Sequence, residues 1–190
     1  MGVARRAALM LPLWLVACGD DGQFRTYPPL RYDFLTPLRL NVATLDFAPL
    51  PSTGPLDQIA PLPPGPALQQ MSQDRLSASG SSGRALVTIE EARIGREGGG
   101  LEGAFGIHLD VLAADGRRVG YAEARVVRRV SKMGDTLRGA LYDITKQMLD
   151  DMNIELEFQL RRSLRDYLQT TTTAPAPAPV QQQDLSPPKL

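Results

Sequence analysis

The chain has very few of the residues from which many functional sites are built. Among its 190 residues there is one cysteine, Cys18, and one histidine, His108. A single cysteine excludes an intramolecular disulfide, so the fold must be held by its core alone. Zinc sites draw on several cysteines and histidines, and the chain cannot supply them. We therefore predict no metal ligands and no cofactor-binding residues.

The chain also lacks an excess of charge of either sign. Its 21 basic residues balance its 21 acidic ones. Loss of residues 1–17, which carry Arg5 and Arg6 but no acid, would leave a net charge of about −2. Nucleic-acid binding relies on a basic field, so we expect no nucleic-acid partner.

No hydrophobic run is long enough to cross a bilayer, which takes about 20 apolar residues. The longest candidate, Ala7 to Trp14, is short and contains Pro12. A basic start followed by a short apolar core is typical of a secretory signal. This core leads into Leu15, Val16, Ala17 and Cys18, in which a small residue comes directly before the cysteine.

That segment resembles the lipobox of bacterial lipoproteins, in which the cysteine thiol takes a diacylglyceryl group and the bond before it is cut. The resemblance implies that Cys18 is lipidated, that residues 1–17 are removed, and that the covalent lipid is the only added group. The membrane is then a partner through the anchor. Gly19 after the cysteine implies the outer membrane rather than the inner one, with the domain facing the periplasm.

Composition divides the chain into four parts. We assign residues 1–17 to a lipoprotein signal peptide, 18–36 to the lipidated amino terminus and an extended spacer, and 37–168 to one globular α/β domain. Residues 169–190, rich in Thr, Pro and Gln, are assigned to a disordered tail. The aromatic residues of the spacer are expected to dock on the domain.

The first half of the domain predicts short elements separated by proline and glycine. Leu38, Leu40 and Val42 alternate, then the apolar phase switches near Ala43-Thr44, which suggests a β-bulge or two exposed environments. The predicted elements are a strand over Leu38–Phe47, a loop with seven prolines over Pro49–Pro66, a helix over Pro66–Ser79, a strand over Arg84–Ile94 and a turn over Gly95–Gly100.

Leu101 to Val130 predicts a β-hairpin, because apolar residues alternate and Asp115-Gly116 is a strong hairpin signal. If these two residues form the turn, paired residue numbers add up to 231. Large residues then face small ones in the pairs Leu109–Ala122, Ile107–Ala124 and Phe105–Val126. The opposite face pairs His108 with Glu123 and Glu102 with Arg129. A trough along Gly120, Ala122 and Ala124 would admit a helix.

Leucines and methionines recurring every three or four residues predict a final helix, capped by Asp135 or Thr136 and running to about Leu168. At roughly 48 Å it should exceed the sheet, so its second half, Ile154–Leu168, should bend back, contact the spacer or meet a partner. The predicted fold class is α+β: a small, mostly antiparallel four-stranded sheet with two helices on one face, in the order β-α-β-β-β-α.

No catalytic arrangement emerges from the sequence. There is no G-x-S-x-G or S-x-x-K motif. His108 lies in mid-strand opposite Glu123, which favours a structural pair over a catalytic base. The glycines of Gly95–Gly100 join two strands, whereas a phosphate-binding loop leads into a helix. We assign no catalytic residue and predict that the chain is not an enzyme.

A lipobox followed by this order of elements resembles the auxiliary lipoproteins of ABC-type lipid-transport systems of the MCE kind. The resemblance implies a non-enzymatic, membrane-anchored accessory or adaptor subunit of lipid transport or envelope assembly, with an envelope protein as partner. Activator lipoproteins of peptidoglycan synthases have a similar small α/β domain, so regulation of wall synthesis is the alternative. An envelope enzyme is the remote alternative.

Overall fold

The computed structural model describes residues 25–131 and 136–169. Its elements are β1 (Leu38–Leu40), β2 (Thr44–Phe47), α1 (Pro55–Ile59), α2 (Pro64–Arg75), β3 (Leu76–Ala78), β4 (Arg84–Glu97), β5 (Gly100–Leu112), β6 (Arg118–Val130) and α3 (Leu137–Ser163). The main sheet has the strand order β2-β4-β5-β6, and α2 and α3 pack against it. The predicted α+β class, with its four-stranded sheet and long last helix, is confirmed.

The predicted first strand, Leu38–Phe47, is wrong as a single element. β1 pairs in parallel with β3 in a separate two-stranded sheet, whereas β2 pairs in parallel with β4 at the edge of the main sheet. Between them the backbone N–H of Ala43 bonds to the carbonyl oxygens of Ser82 and Gly83. The phase switch near Ala43-Thr44 therefore marks the point where the chain leaves one sheet for another, and no bulge is formed there.

The predicted proline-rich loop also contains helix. Pro55 and Pro64 are the first residues of α1 and α2, where a missing N–H costs nothing and the fixed φ suits the helix. α1 is held by Asp57, whose buried carboxylate accepts the backbone N–H groups of Gly54 (2.7 Å) and Ile94 (3.0 Å). The helix predicted over Pro66–Ser79 starts earlier and stops at Arg75, because the next three residues extend to form β3 beside β1.

The predicted hairpin register is confirmed. Pairs from Leu101–Val130 to Val111–Gly120 all follow the predicted sum of 231. The turn itself is wider than the predicted two residues: Ala113 N–H bonds to Arg117 O, and Gly116 takes φ +84°. This is a three-residue loop with a glycine bulge, and a second irregularity at Val119 restores the register. The preceding turn is narrower than Gly95–Gly100, because β4 continues to Glu97 and only Gly98 and Gly99 have positive φ.

The last helix begins as predicted at Thr136, whose hydroxyl accepts the N–H of Gly139 (3.1 Å); Asp135 lies outside the described residues. It ends at Ser163 rather than Leu168, and a 3₁₀ turn over Arg165–Tyr167 follows. Its 27 residues span about 40 Å, and 13 residues of β6 span about 43 Å. The predicted overhang is therefore wrong, because the strands are as long as the helix.

The core fills the space between the sheet and the two long helices, and α3 approaches β5 and β6 closely over the predicted trough. Ala122 and Ala124 are buried there. A Cβ on Gly120 would lie 2.7 Å from a methyl of Leu164, and a Cβ on Gly103 would overlap the sulfur of Met148. Small residues on the strands thus set how near the helix can lie.

Substituting Ala124→Leu tests this contact. The added carbons have no room beneath α3, so overpacking should lower the free energy of unfolding by about 1–3 kcal/mol. Urea unfolding followed by circular dichroism measures the change. Val127→Leu is the matched control, because Val127 lies on the same strand with 63% of its surface exposed; a loss that is equal in both variants would contradict the assigned faces of β6.

Candidate functional site

The predicted lipidation site, Cys18, and the lipobox residues Leu15, Val16 and Ala17 lie outside the described residues, so lipidation stays a prediction. The description begins at Arg25, seven residues after Cys18. From there to Leu35 the chain runs over the two long helices. We call residues 25–35 the strap.

The amino-terminal end of the strap is fastened to the first turns of α3. The Arg25 guanidinium donates two hydrogen bonds to the Asp143 carboxylate. The ring of Tyr27 packs against Tyr142 with centroids 5.2 Å apart, and the Tyr142 hydroxyl donates to the carbonyl oxygen of Pro28 at 2.9 Å. One exposed ion pair contributes little to stability, but the aromatic contact and the hydroxyl bond hold the same segment.

A second attachment lies in the middle of the strap, where Tyr32 is 5% exposed. Its hydroxyl donates to Asp150 of α3 at 2.7 Å, and its backbone N–H donates to Asp74 of α2 at 2.8 Å. Burial raises the pKa of Tyr32, so the hydroxyl stays protonated and remains a donor. The prediction that spacer aromatics dock on the domain is confirmed for Tyr27 and Tyr32; Phe34 is exposed, and Phe24 lies outside the described residues.

The Asp74 carboxylate accepts most of the hydrogen bonds that hold this part of the strap on α2. Burial alone would raise the pKa of Asp74, but hydrogen bonds from Arg31, from the backbone of Tyr32 and from Gln70 outweigh it and lower the pKa below its ordinary value. Both oxygens are used: Arg31 donates to each of them at 3.0 Å. The ionised carboxylate therefore stabilises the strap on α2.

Beyond the strap, a buried arginine joins three segments. Arg75, the last residue of α2, is 3% exposed. Its guanidinium donates to Asn153 Oδ1 and Glu157 Oε2 of α3, both at 2.6 Å, and to the carbonyl oxygen of Thr36. Burial lowers the pKa of Arg75, yet an arginine keeps its charge at physiological pH. The second half of α3 is thus tied to α2 and to the end of the strap.

Two grooves flank the last turns of α3. The first, which we call the arginine groove, has a volume of about 790 Å³ and lies between this end of α3 and the segment around β1. Its polar lining includes Arg39, Arg75, Arg161 and Arg165 against the single acid Glu157. An excess of guanidinium groups suits an anionic group such as a carboxylate or phosphate.

The second groove, which we call the edge groove, lies between β6 and the other flank of α3. Its volume is about 690 Å³. On the strand side it is lined by residues 118–121 and by Glu123, including the exposed ring of Tyr121. On the helix side it is lined by Gln159, Arg162 and Ser163. Both grooves lie at the opposite end of α3 from Arg25.

The only histidine lies on the open face of the sheet. Its register opposite Glu123 is confirmed, but its bonding partner differs from the prediction: His108 Nε2 lies 3.0 Å from Asp110, and Glu123 binds Arg125 instead. The ring stacks on Tyr121 with centroids 5.7 Å apart. Among the described residues no Ser, Thr or Cys side chain bonds to His108. Within the described residues, the pair is therefore not joined to a nucleophilic side chain.

Other features bear on chemistry and membrane contact. Within residues 25–131 and 136–169, no cluster of three or more His, Cys, Asp or Glu side chains is arranged to hold a metal ion. In the same part of the chain, no helix combines the length and apolar character needed to cross a bilayer.

Comparison with known proteins yields few matches. No protein family and no curated protein matches the chain. A provisionally named lipoprotein from Caulobacter crescentus CB15 is 14% identical over 62% of this chain and 88% of its own, with a TM-score of 0.34. A minor lipoprotein from Acinetobacter baumannii is 9% identical over 58% and 92%, with a TM-score of 0.26. At such TM-scores neither likeness bears on the fold or function of this chain.

Several residues that hold these features carry no signal of their own in the sequence. Asp150 and Asp151 read as solvated acids on the surface of the last helix, yet they accept bonds from Tyr32 and Arg128. Asp74 reads as an ordinary helix-surface acid. The one usable signal was the cluster of arginines at the end of the last helix, since Arg161, Arg162 and Arg165 line the two grooves.

Substituting Asp74→Asn should loosen the strap. At pH 7 we expect a loss of about 1–2 kcal/mol in the free energy of unfolding, because charge-assisted bonds are replaced by neutral ones. The pKa of Asp74 in the folded protein lies below its ordinary value of 3.8. The extra stability of wild type over Asp74→Asn is therefore complete above pH 3.8, and it is lost as the pH falls through the folded pKa of Asp74. The stabilities of the two proteins should therefore converge as the pH falls below the folded pKa of Asp74.

Urea unfolding at a series of pH values from 7 to 2 measures this difference. Asp33→Asn is the control, because Asp33 also pairs with Arg31 but is 57% exposed; it should change stability by less than about 0.5 kcal/mol. A gap between wild type and Asp74→Asn that stays constant across the pH series would show that the charge of Asp74 plays no part.

Proposed function

We propose that this chain is a non-enzymatic lipoprotein of the bacterial envelope that acts as an anchored adaptor. The observation that carries the proposal is the placement of two features at opposite ends of α3. The amino-terminal end of the strap, which leads back toward Cys18, is fastened to the first turns of the helix, and both grooves flank its last turns. One end is suited to attachment and the other to binding.

The lengths of the linker and of α3 support this separation between the anchored end and the binding end. Arg25 lies seven residues after Cys18, and an extended chain over that stretch reaches about 25 Å. Gln159 of the edge groove lies 16 residues after Asp143, which binds Arg25, and this stretch of helix spans about 24 Å. With the acyl chains in the bilayer, an upright body would present its grooves well above the headgroups. A partner in the periplasm could reach them without displacing the anchor.

A binding role also agrees with the chemistry of the described residues. His108 is bonded to Asp110 and stacked on Tyr121 at the surface, and the carboxylates along α3 are occupied by strap and strand partners. The grooves offer guanidinium, amide and hydroxyl groups, which recognise a partner but do not form an acid–base pair.

Within this class we propose an accessory subunit of a lipid-transport or envelope-assembly system, on the strength of the lipobox and the element order. A second candidate is a regulator of peptidoglycan synthesis, and the arginine groove favours it, because wall peptides carry carboxylates that guanidinium groups bind. The two candidates differ in the partner that they require.

Replacement of the anchor residue, Cys18→Ser, should release the protein from membranes into the soluble envelope fraction, because one residue would carry all the acyl chains. Fractionation followed by immunoblotting measures the distribution. Gly22→Ser retains Cys18 and should stay with the membrane. Gly19→Asp should move the protein from the outer to the inner membrane. Cys18→Ser protein that remains in the membrane pellet would contradict lipidation.

Crosslinking in living cells separates the two candidates. An accessory of lipid transport should be recovered with a permease or an MCE-domain protein; recovery with wall synthases alone would favour the second candidate. Crosslinking of a variant that lacks residues 170–190 is a second test. A partner held at the grooves should be retained without the tail, whereas a regulator that reaches its target through the tail should lose it.

A further inference from the structure

We infer that the edge groove holds an extended segment of a partner protein, which adds to the main sheet as a fifth strand along β6. The inference deepens the adaptor proposal by stating where and how a partner is held. It begins with the position of β6, which is last in the strand order of the main sheet and pairs only with β5 among the described residues. In the part of the chain that the structure describes, the other side of β6 is an open edge of 13 residues.

An open edge offers alternate N–H and C=O groups to an incoming strand, and natural proteins usually protect such edges with charge or proline. β6 contains no proline, and its arginines are turned to acids of the same domain. Arg118 pairs with Asp110, Arg125 with Glu90 and Glu123, Arg128 with Asp151, and Arg129 with Glu102. These charges therefore do little to repel a strand from the edge.

The groove beside this edge has the dimensions of a strand site. Five residues between Arg118 and Glu123, all but the buried Ala122, line one wall, and this stretch of strand spans about 20 Å, the usual length of a strand. The opposite wall is α3, which contributes Gln159, Arg162 and Ser163. A slot between an edge strand and a helix is a recurrent geometry for binding extended peptides.

The two sides of the edge groove favour different side chains of the bound segment. Arg162 points a positive charge into the helix side, and no carboxylate of the described residues lies within ion-pair distance of it. Tyr121, 53% exposed, lies on the open face of the sheet. Because strand side chains alternate between faces, the fitting segment alternates acidic residues, directed at Arg162, with β-branched residues, directed at Tyr121.

A second copy of this chain does not fit the same edge. α3 lies over β6, as shown by Leu164 against Gly120 and by the ion pair of Asp151 with Arg128. Pairing of two β6 strands about a twofold axis would place the two α3 helices about one strand spacing apart, roughly 4.8 Å. Packed helices need about 8–10 Å between axes. A single strand avoids this clash.

The test uses the full lipid-anchored protein in detergent and a fluorescently labelled seven-residue peptide in which valine and glutamate alternate. Fluorescence anisotropy should show saturable binding, and hydrogen–deuterium exchange should show new protection over residues 118–130. Arg162→Glu should weaken binding about tenfold or more. Arg96→Glu, with the same change of charge at the other end of the sheet, should leave it within about twofold.

Two further probes distinguish strand addition from electrostatic adhesion. A peptide with lysine in place of glutamate should bind Arg162→Glu better than wild type. Two peptides that are N-methylated on alternate amides should differ, because only one set of N–H groups faces β6; loss of binding by both, or by neither, overturns strand addition. Absence of binding at millimolar peptide, or a dimer formed through β6, also overturns the inference. The adaptor proposal falls separately, if no partner is crosslinked in cells.

Discussion

The close approach of α3 to β5 and β6 is the contact on which the rest of the domain depends. Gly103, Gly120, Ala122 and Ala124 present almost no side chain to the helix, so its leucines and methionines reach the sheet directly. Because the helix lies so near the strands, its two flanks can serve other segments. One flank receives the strap and Arg75, and the other forms a wall above the edge of β6.

Docking of the strap changes what the amino-terminal segment does. A free spacer over residues 18–36 would let the domain move as much as about 60 Å from the lipid. With residues 25–35 attached through Tyr32, Asp74 and Asp143, only six residues remain between Cys18 and Arg25. Under the proposed lipidation of Cys18, the body would be held close to the membrane at one end, and the distance between the bilayer and the grooves would be restricted.

The distribution of charge explains how an open strand edge can persist beside this helix. Three arginines of β6 form ion pairs with acids on neighbouring elements. The strand therefore carries charged side chains, but these charges are not directed at its open edge. Arg162 and Gln159 of α3 line the edge groove beside this strand. In the proposed mode of binding, the bulk of α3 hinders pairing between whole domains but leaves room for one strand.

The sequence by itself determined the elements whose signals are local. The alternation from Leu101 to Val130 and the Asp115-Gly116 pair gave the register of the hairpin, and the small residues on β6 gave the face that α3 covers. The strand-pairing and hydrogen-bonding partners of the short segments were determined only by the tertiary structure. Leu76–Ala78 continue the pattern of a helix but extend because β1 offers a partner, and Asp74 and Asp150 acquire roles from a strap distant in sequence. The spacing of apolar residues shows which face of a segment is buried. Strand pairing and side-chain hydrogen bonding depend on which other segments lie next to it in the folded protein.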